Sequence, residues 1–221
     1  SENSWRTRLW AGNVHGKRAS IAKRYNWAHC QVNQGSFMLS KGVDDLIHEP
    51  GATRTYRKSA ANNNCIIVND TDQWGGGQVW HPKLEPNQIS TIDFFADGKL
   101  LSVARANLKN AYPPSARIRS LSRCLIHLKP DHFLLFDRLE TDGPGKAEWR
   151  FHAAYIEDKE AGIFDASGFT RLPQVRGKKS TKYEEFFEPD PALKFQIALF
   201  ESDVRTAIGM TDLYYRWNAF S

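Results

Sequence analysis

The first residues whose types and spacing could do chemistry lie between positions 27 and 37. His29, Gln31, Asn33 and Ser36 occur there within eight residues, directly before an apolar-alternating segment. Alternate side chains of an extended backbone point to the same face, so His29, Gln31 and Asn33 are expected to lie together. Three polar side chains on one face need solvent, a ligand or one another. A lone histidine is more often structural, but these neighbours favour a site that holds a substrate, a metal or a catalytic proton.

A second cluster spans residues 46–58 and includes His48. Glu49 precedes a Pro-Gly pair and is expected to end a strand at a turn. Arg54 and Arg57 flank Tyr56, and guanidinium groups match carboxylates and sulfates bidentately. The segment is therefore a candidate anion contact, and the alternative is a charged turn.

A third cluster begins with three consecutive amides at residues 62–64, before an apolar segment at 65–68. Amides cap turns, and they also bind hard cations and sugar hydroxyls. A glycine-rich stretch follows, bearing Trp74, Trp80 and His81. This stretch suits a wall that stacks on sugar rings, and the alternative is a simple turn.

Many short apolar or alternating segments separated by turn residues predict the elements that position these clusters. They occupy residues 37–39, 65–68, 89–95, 100–104, 117–128, 132–138, 147–155 and 193–200, with turns at 96–98, 129–131, 142–145 and 189–191. Residues 125–138 form the clearest hairpin, and residues 171–188 are expected to be a long exposed loop, with a functional basic loop as the alternative. The pattern predicts an all-β fold, an antiparallel sandwich, with residues 1–221 as one domain.

The composition sets further limits. The chain has 221 residues and a formal net charge of +5. Composition alone favours a solvated, slightly basic surface, and the alternative is a modest positive field that attracts polyanions. No nucleic-acid-binding motif and no apolar segment of membrane-spanning length occurs, so neither partner is expected. Cys30, Cys65 and Cys124 form neither a disulfide framework nor a metal-binding pair, although one bridge remains an alternative. Because the chain starts at Ser1 without a start methionine or signal peptide, we expect a processed or truncated piece.

The order of these clusters resembles the C-terminal β-domain of heparinase II/III-like polysaccharide lyases. That family has a histidine-bearing loop running into a Ser-Phe strand, a carboxylate-bearing turn, a Tyr/Arg-rich stretch, an Ala-His-Asn segment, a Val-rich strand and a hairpin ending in Asp-Arg. The counterparts are residues 29–37, 49–51, 56–58, 62–64, 65–68 and 137–139. The resemblance covers roughly residues 25–155.

The resemblance implies β-elimination on a uronate-containing acidic polysaccharide. A base removes the proton α to the carboxylate, an acid assists the leaving oxygen, and the carboxylate charge is neutralised. In the family the principal acid/base residues lie in an N-terminal α/α toroid, which is absent from these 221 residues and is the implied partner domain. The β-domain contributes one wall of the cleft, so the chain alone is expected to be inactive or nearly so. Periplasmic or extracellular localisation is also implied.

Site roles follow from the same resemblance. His29 is the cleft histidine, which neutralises the uronate or moves a proton, and Tyr56 is a candidate acid or base. Arg54 and Arg57 are candidate anion contacts, and Asn33 binds substrate or orients His29. The three residues Trp74, Trp80 and His81 are candidate sugar contacts.

The family's zinc positions correspond to Gln31, Glu49 and Asn63. Amides are poor zinc ligands. We therefore expect no cofactor and a hydrogen-bonded polar cluster at these positions, with a weak oxygen-ligated Ca²⁺ site as the alternative.

Three other functional readings stay open. A non-catalytic carbohydrate-binding β-sandwich would bind a glycan without producing unsaturated ends. A uronate C5-epimerase of the same architecture would exchange the C5 proton without cleaving the chain. A purely structural domain would do neither, and His29→Ala would then change only stability.

Overall fold

The computed structural model describes residues 4–11, 32–48, 59–76, 85–160, 163–171 and 187–198. Twelve strands occur in these ranges: β1 (Trp5–Leu9), β2 (Phe37–Lys41), β3 (Asp44–Ile47), β4 (Ile66–Val68), β5 (Thr91–Asp97), β6 (Leu101–Asn107), β7 (Ile118–Leu128), β8 (His132–Thr141), β9 (Ala147–Trp149), β10 (Tyr155–Glu160), β11 (Ile163–Arg171) and β12 (Phe187–Ala198). The helical elements of the described residues are four short 3-10 turns: Ala60–Asn62, Pro86–Gln88, Lys109–Ala111 and Pro114–Ala116. None of these turns has the length and apolarity needed to cross a membrane.

The predicted all-β, antiparallel fold is confirmed, because the strand pairs with a described register run antiparallel. The chain divides into two compact units. The first comprises Ser1–Arg8, Met38–Pro50 and Phe151–Ser221, and the second comprises Leu9–Phe37 and Gly51–Arg150. That residues 1–221 form a single domain stays a prediction.

The first unit is built on a six-stranded sheet with the order β1-β2-β3-β11-β10, and β12 pairs with β11. Strands β2 and β3 join through a tight turn at Gly42, whose φ of 61° favours glycine. Phe169 of β11 pairs with Asp45 of β3. A Cβ at the neighbouring Gly168 would lie 2.5 Å from the Asp45 carbonyl oxygen, so this close approach requires a glycine.

The second unit contains a four-stranded sheet of consecutive hairpins, β5-β6-β7-β8, and a separate pair, β4 and β9. The predicted hairpin at residues 125–138 is confirmed, since Leu125 pairs with Leu135 and Leu128 with His132. Burial alternates along β7, as a half-buried sheet requires. The apolar core of this unit collects buried side chains from several elements: Ile66, Val68, Ala106, Leu108, Ala111, Tyr112, Ala116 and Leu121.

Two predicted features differ in the structure. Residues 189–191 were expected to form a turn but lie inside β12, opposite a register shift between Ser167 and Gly168. Proline has no backbone N–H to donate to a neighbouring strand. Pro189 and Pro191 are tolerated because they lie at an irregularity in β12, which pairs with β11. Residues 147–155 were expected to form one strand but are divided between β9 and β10, and the chain passes from one unit to the other between them.

The other predicted strands coincide with or overlap β2, β4, β5, β6, β7, β8 and β12. The strand that was expected to end at Glu49 corresponds to β3, which ends at Ile47. Strands β1 and β11 were not predicted. Of the expected loop at 171–188, residues 172–186 lie outside the described residues, and its ends belong to β11 and β12.

Candidate functional site

Three residues singled out from the sequence fall in the described part of the chain: Asn33, Asn63 and Trp74. Asn33 is 8% exposed, Asn63 is fully buried and Trp74 is half-buried. The remaining candidates lie outside the described residues: His29, Gln31, Glu49, Arg54, Tyr56, Arg57, Trp80 and His81.

Asn33 begins a tight turn in the second unit. Ser36 N donates to Asn33 O over 2.9 Å, and Gly35 takes a φ of 84° between them. The turn is tied to Trp10 by two backbone hydrogen bonds, from Gly35 N (2.7 Å) and to Ser36 O (2.9 Å). The polar cluster predicted before Phe37 is therefore, in its described half, a fixed and buried turn.

Gln34, within this turn, exchanges two hydrogen bonds with Gln73. Gln34 N donates to Gln73 Oε1 (3.0 Å), and Gln73 Nε2 donates to Gln34 O (2.6 Å). The Gln34 side chain continues outward, because its Oε1 accepts from both N and Oγ of Ser90, at 2.6 and 2.7 Å. Gln73 directly precedes Trp74 in sequence. The hydrogen bonds between Gln34 and Gln73 therefore join the first predicted cluster to the start of the glycine-rich stretch, which belongs to the third predicted cluster.

Tyr112 closes the network on the core side. Its hydroxyl donates to Ile66 O and accepts from Gln73 Nε2 at 3.1 Å. Burial raises the pKa of Tyr112 far above the ordinary value of a phenol. Tyr112 therefore stays protonated and serves as a hydrogen-bonding anchor rather than an acid or base.

The amides at positions 63 and 64 bind to the same turn. Asn63 Nδ2 donates to Val32 O (3.2 Å) and Ser59 O (3.0 Å). Asn64 donates from its backbone N to Ser36 Oγ (3.2 Å) and from Nδ2 to Phe37 O (2.8 Å). Both side chains donate to main-chain carbonyls. The polar cluster expected at Gln31, Glu49 and Asn63 stays a prediction, because Gln31 and Glu49 lie outside the described residues.

A buried ion pair completes the arrangement. Arg123 of β7 is fully buried and binds Asp137 of β8 through two parallel hydrogen bonds of 2.8 Å. Burial disfavours the charged guanidinium, but the charge and hydrogen bonds of Asp137 outweigh it, so the pKa of Arg123 lies above its usual value. We call the buried polar network the set formed by Gln34, Ser36, Asn63, Asn64, Gln73, Ser90, Tyr112, Arg123 and Asp137.

Most members of the buried polar network were not predicted as site residues. Arg123 carried a readable signal, because it falls between Leu121 and Leu125 on the inward face of an alternating strand. An arginine in that position must find partners inside the protein. Gln73 and Ser90 carried no comparable signal, since each lies in an irregular segment.

The first unit contains a smaller polar group, around His48 of the second predicted cluster. Its Nδ1 lies 2.8 Å from Asp45 Oδ2, and Ser40 Oγ donates to Asp45 Oδ1 over 2.7 Å. The His48 ring also packs edge-on against Phe169, with 5.9 Å between ring centroids. The carboxylate orients the imidazole, while the serine binds the carboxylate and not the histidine, so this is not a nucleophile triad.

Zinc does not fit Asn63, the described member of the implied ligand set. Its Nδ2 is committed to two carbonyls, and its buried Oδ1 has no hydrogen-bond partner among the described residues. An amide oxygen is a poor zinc ligand, although a hard cation accepts one. Within the described ranges no group of three or more His, Cys, Asp or Glu side chains could hold a metal ion.

Comparison with known proteins gives one family and a set of related structures. A family model described as heparinase II/III-like, C-terminal, matches residues 14–179. A solved heparinase III shares 12% identity with a TM-score of 0.50, over 80% of this chain and 29% of its own. A mutant of the heparan sulfate lyase HepC from Pedobacter heparinus shares 14% identity with a TM-score of 0.47, over 79% of this chain and 32% of its own. A search of the curated proteins found no match. The chain spans less than a third of the length of these two solved proteins.

Proposed function

We propose, because this chain belongs to the family of heparinase II/III-like C-terminal domains, that it is the β-sandwich part of a polysaccharide lyase. Its substrate is a uronate-containing acidic polysaccharide, cleaved by β-elimination. The chain contributes one wall of the active-site cleft, and the rest of the cleft comes from an N-terminal α/α toroid domain.

The observation that carries this proposal is the extent of the family match. Residues 14–179 include every residue that the sequence analysis assigned to the site, from His29 to His81. The buried polar network supports it, because hydrogen bonds hold the turn after His29 against the amide segment and the start of the stretch that bears Trp74. Such a scaffold suits a site whose groups must be placed accurately.

Chemically, the proposal gives each candidate a distinct task. His29 neutralises the uronate carboxylate or moves a proton, and Tyr56 acts as an acid or base. Arg54 and Arg57 bind the substrate's acidic groups. Asn33, which is 8% exposed, binds substrate or orients His29.

Trp74, Trp80 and His81 contact the sugar rings in this proposal. The half-buried indole of Trp74 leaves part of its surface for such a contact. No cofactor is assigned, with weak Ca²⁺ binding as the alternative. The protein acts in the periplasm or outside the cell, where such polysaccharides occur.

Ultraviolet absorbance of the conjugated alkene formed by β-elimination tests the proposal. The protein together with its N-terminal domain is incubated with a panel of uronate polysaccharides, beside His29→Ala and Tyr56→Phe variants. His132→Ala is a matched control, since His132 is an exposed histidine at a hairpin end. We expect a rise in absorbance that His29→Ala abolishes and His132→Ala preserves.

A different outcome would identify a different function. Binding without alkene formation, combined with C5 proton exchange in deuterated water, would indicate an epimerase. Binding with neither reaction would indicate a non-catalytic carbohydrate-binding module. Asn63 favours the non-catalytic carbohydrate-binding module as the second candidate function, because the family resemblance implies a zinc-binding histidine at this position.

A further inference from the structure

Arg123 has more partners than an ion pair needs. Its Nε and Nη2 bind the two carboxylate oxygens of Asp137, and its Nη1 donates to Gly35 O (2.6 Å) and Asn64 O (2.7 Å). These two carbonyls belong to irregular segments 88 and 59 residues away in sequence. One guanidinium therefore joins the hairpin of β7 and β8 to both the turn at residues 33–36 and the amide segment at 63–65.

The surroundings hold this guanidinium in place. Asp137 Oδ2 also accepts from Trp149 Nε1 at 2.8 Å, which fixes the carboxylate. The Phe37 ring centroid lies 5.5 Å from the guanidinium carbon. Planar, forked donors allow an arginine to reach four acceptors in one geometry, which the compact ammonium of a lysine cannot do.

Stability alone does not explain this arrangement. Replacing a buried ion pair with apolar side chains of similar volume is often neutral or stabilising. What apolar residues cannot do is bind the carbonyls of two irregular segments and so fix their backbone path. The contribution specific to Arg123 is therefore the conformation of residues 33–36 and 63–65.

We propose that Arg123 is a positioning residue of the candidate site, acting through the carbonyls of Gly35 and Asn64. Its relevance to a reaction rests on the proposed function, because the turn that it fixes follows His29 by only four residues in sequence. Arg123 is buried and contacts no substrate. Its loss leaves the sheet in place and lets the two segments move.

The test uses the protein with its N-terminal domain and the double variant Arg123→Met/Asp137→Leu, which removes both charges together. Amide hydrogen exchange is measured for peptides covering residues 33–37 and 62–65, and kcat and KM are measured for an acidic polysaccharide. We expect exchange in these two segments to accelerate by at least about tenfold. We expect kcat to fall about 10- to 100-fold while KM changes much less.

Val68→Ala is the matched control. Val68 is a fully buried core residue of the same unit, and its side chain takes no part in the hydrogen bonds of the network, so this variant lowers Tm while those donors and acceptors stay in place. It should leave kcat and the exchange of the two segments at wild-type values. If the double variant fails to fold, the same measurements are made on Arg123→Lys, which keeps the positive charge but loses the forked guanidinium donors. Its changes in hydrogen exchange and kcat should lie between those of the wild type and those expected for the double variant.

Unchanged hydrogen exchange in both segments would overturn the inference. If the wild-type protein is active, faster exchange in the variant combined with a wild-type kcat would overturn it as well. If the wild-type protein forms no alkene from any polysaccharide, the proposed function fails. The exchange measurement then still decides whether Arg123 fixes the two segments.

Discussion

Gly35 lies between two members of the buried polar network, Gln34 and Ser36, and has little freedom to change. Its φ of 84° lies in the left-handed region, and a Cβ there would stand 2.4 Å from Leu108 Cδ1. Its carbonyl also accepts from Arg123. A side chain at this position would strain the backbone and displace the core at once.

Gly35→Ala is therefore expected to destabilise the protein by about 2 to 4 kcal/mol. Urea unfolding measures this. Gly98→Ala is the control, because a Cβ there meets its nearest neighbour, the Leu101 carbonyl oxygen, at an ordinary 3.4 Å. The control should change stability by less than about 0.5 kcal/mol. Equal effects from the two substitutions would contradict this account of the turn.

Asn63 joins two segments through its side-chain amide. Asn63→Ala leaves the carbonyls of Val32 and Ser59 without this donor. The expected loss is about 1 to 3 kcal/mol in the free energy of unfolding. Asn107→Ala, an exposed amide that accepts from Lys109 N, is the control and should be close to neutral.

A chelator supplies the complementary measurement on the wild-type protein. Because Asn63 does not fit zinc, EDTA should leave the Tm unchanged. A lower Tm with EDTA, restored by zinc, would show that a metal holds this part of the chain after all.

At the scale of elements, the small sheet of β4 and β9 is stabilised by charges at its edge. Glu148 of β9 binds Lys146 and Arg150, each at 2.5 Å, and its side chain is 16% exposed. The hydrogen bond from Lys146, with further attraction from Arg150, holds the pKa of Glu148 below its ordinary value of 4.5. A lowered pKa in the folded state means that ionisation of this carboxyl favours folding.

The stabilisation by Glu148 is present above its unfolded pKa and disappears as the pH falls through the lower, folded value. Glu148→Gln should therefore lower the free energy of unfolding at pH 7 and have progressively less effect as the pH falls below about 4.5. Urea unfolding across this range tests the trend. Glu157→Gln breaks a pair with Lys159 that is nearly half exposed, and should have little effect at any pH. A destabilisation by Glu148→Gln that grows as the pH falls would contradict this account.

Elements with a strong local pattern were predictable from the sequence. The hairpin of β7 and β8 was found because its burial alternates and turn residues separate its strands. Strand β11 was missed, since Ser167 and Gly168 interrupt its apolar residues; it pairs with its neighbours β10 and β12 and also with the distant β3. Local pattern cannot report such non-local pairing.

For the candidate site, the segments could be chosen from the sequence, but the residues that join them could not. Its segments were identified by their polar residue types, and three of them meet in the structure. The partners that join them were not identified, because Gln73 lies 39 positions beyond Gln34 and Tyr112 lies 39 positions beyond Gln73, and each pair meets only after folding. Sequence shows which residues could do chemistry, whereas the residues that hold them depend on tertiary contacts.

At the scale of the whole molecule, the formal net charge of +5 suits an acidic polymer. If the proposed substrate class is correct, affinity for a uronate polysaccharide should fall several-fold between about 0.05 and 0.5 M salt, because salt screens exposed charges. Isothermal titration at several salt concentrations measures this, with a neutral polysaccharide as control. Affinity that is independent of salt would argue against an electrostatic contribution.

The two described cysteines offer a way to watch the site without any substrate. The Cys65 thiol is buried and donates to Gln34 O across 3.6 Å, whereas Cys124 lies on β7 and is partly exposed. With Cys30 replaced by serine, a thiol reagent reaches Cys65 only when the segments that bury it open, and the turn at residues 33–36 is one of these segments. Burial raises the pKa of the Cys124 thiol, so its slow but steady modification gives the reference rate. The ratio of the two labelling rates thus reports how often the resting protein opens around Cys65.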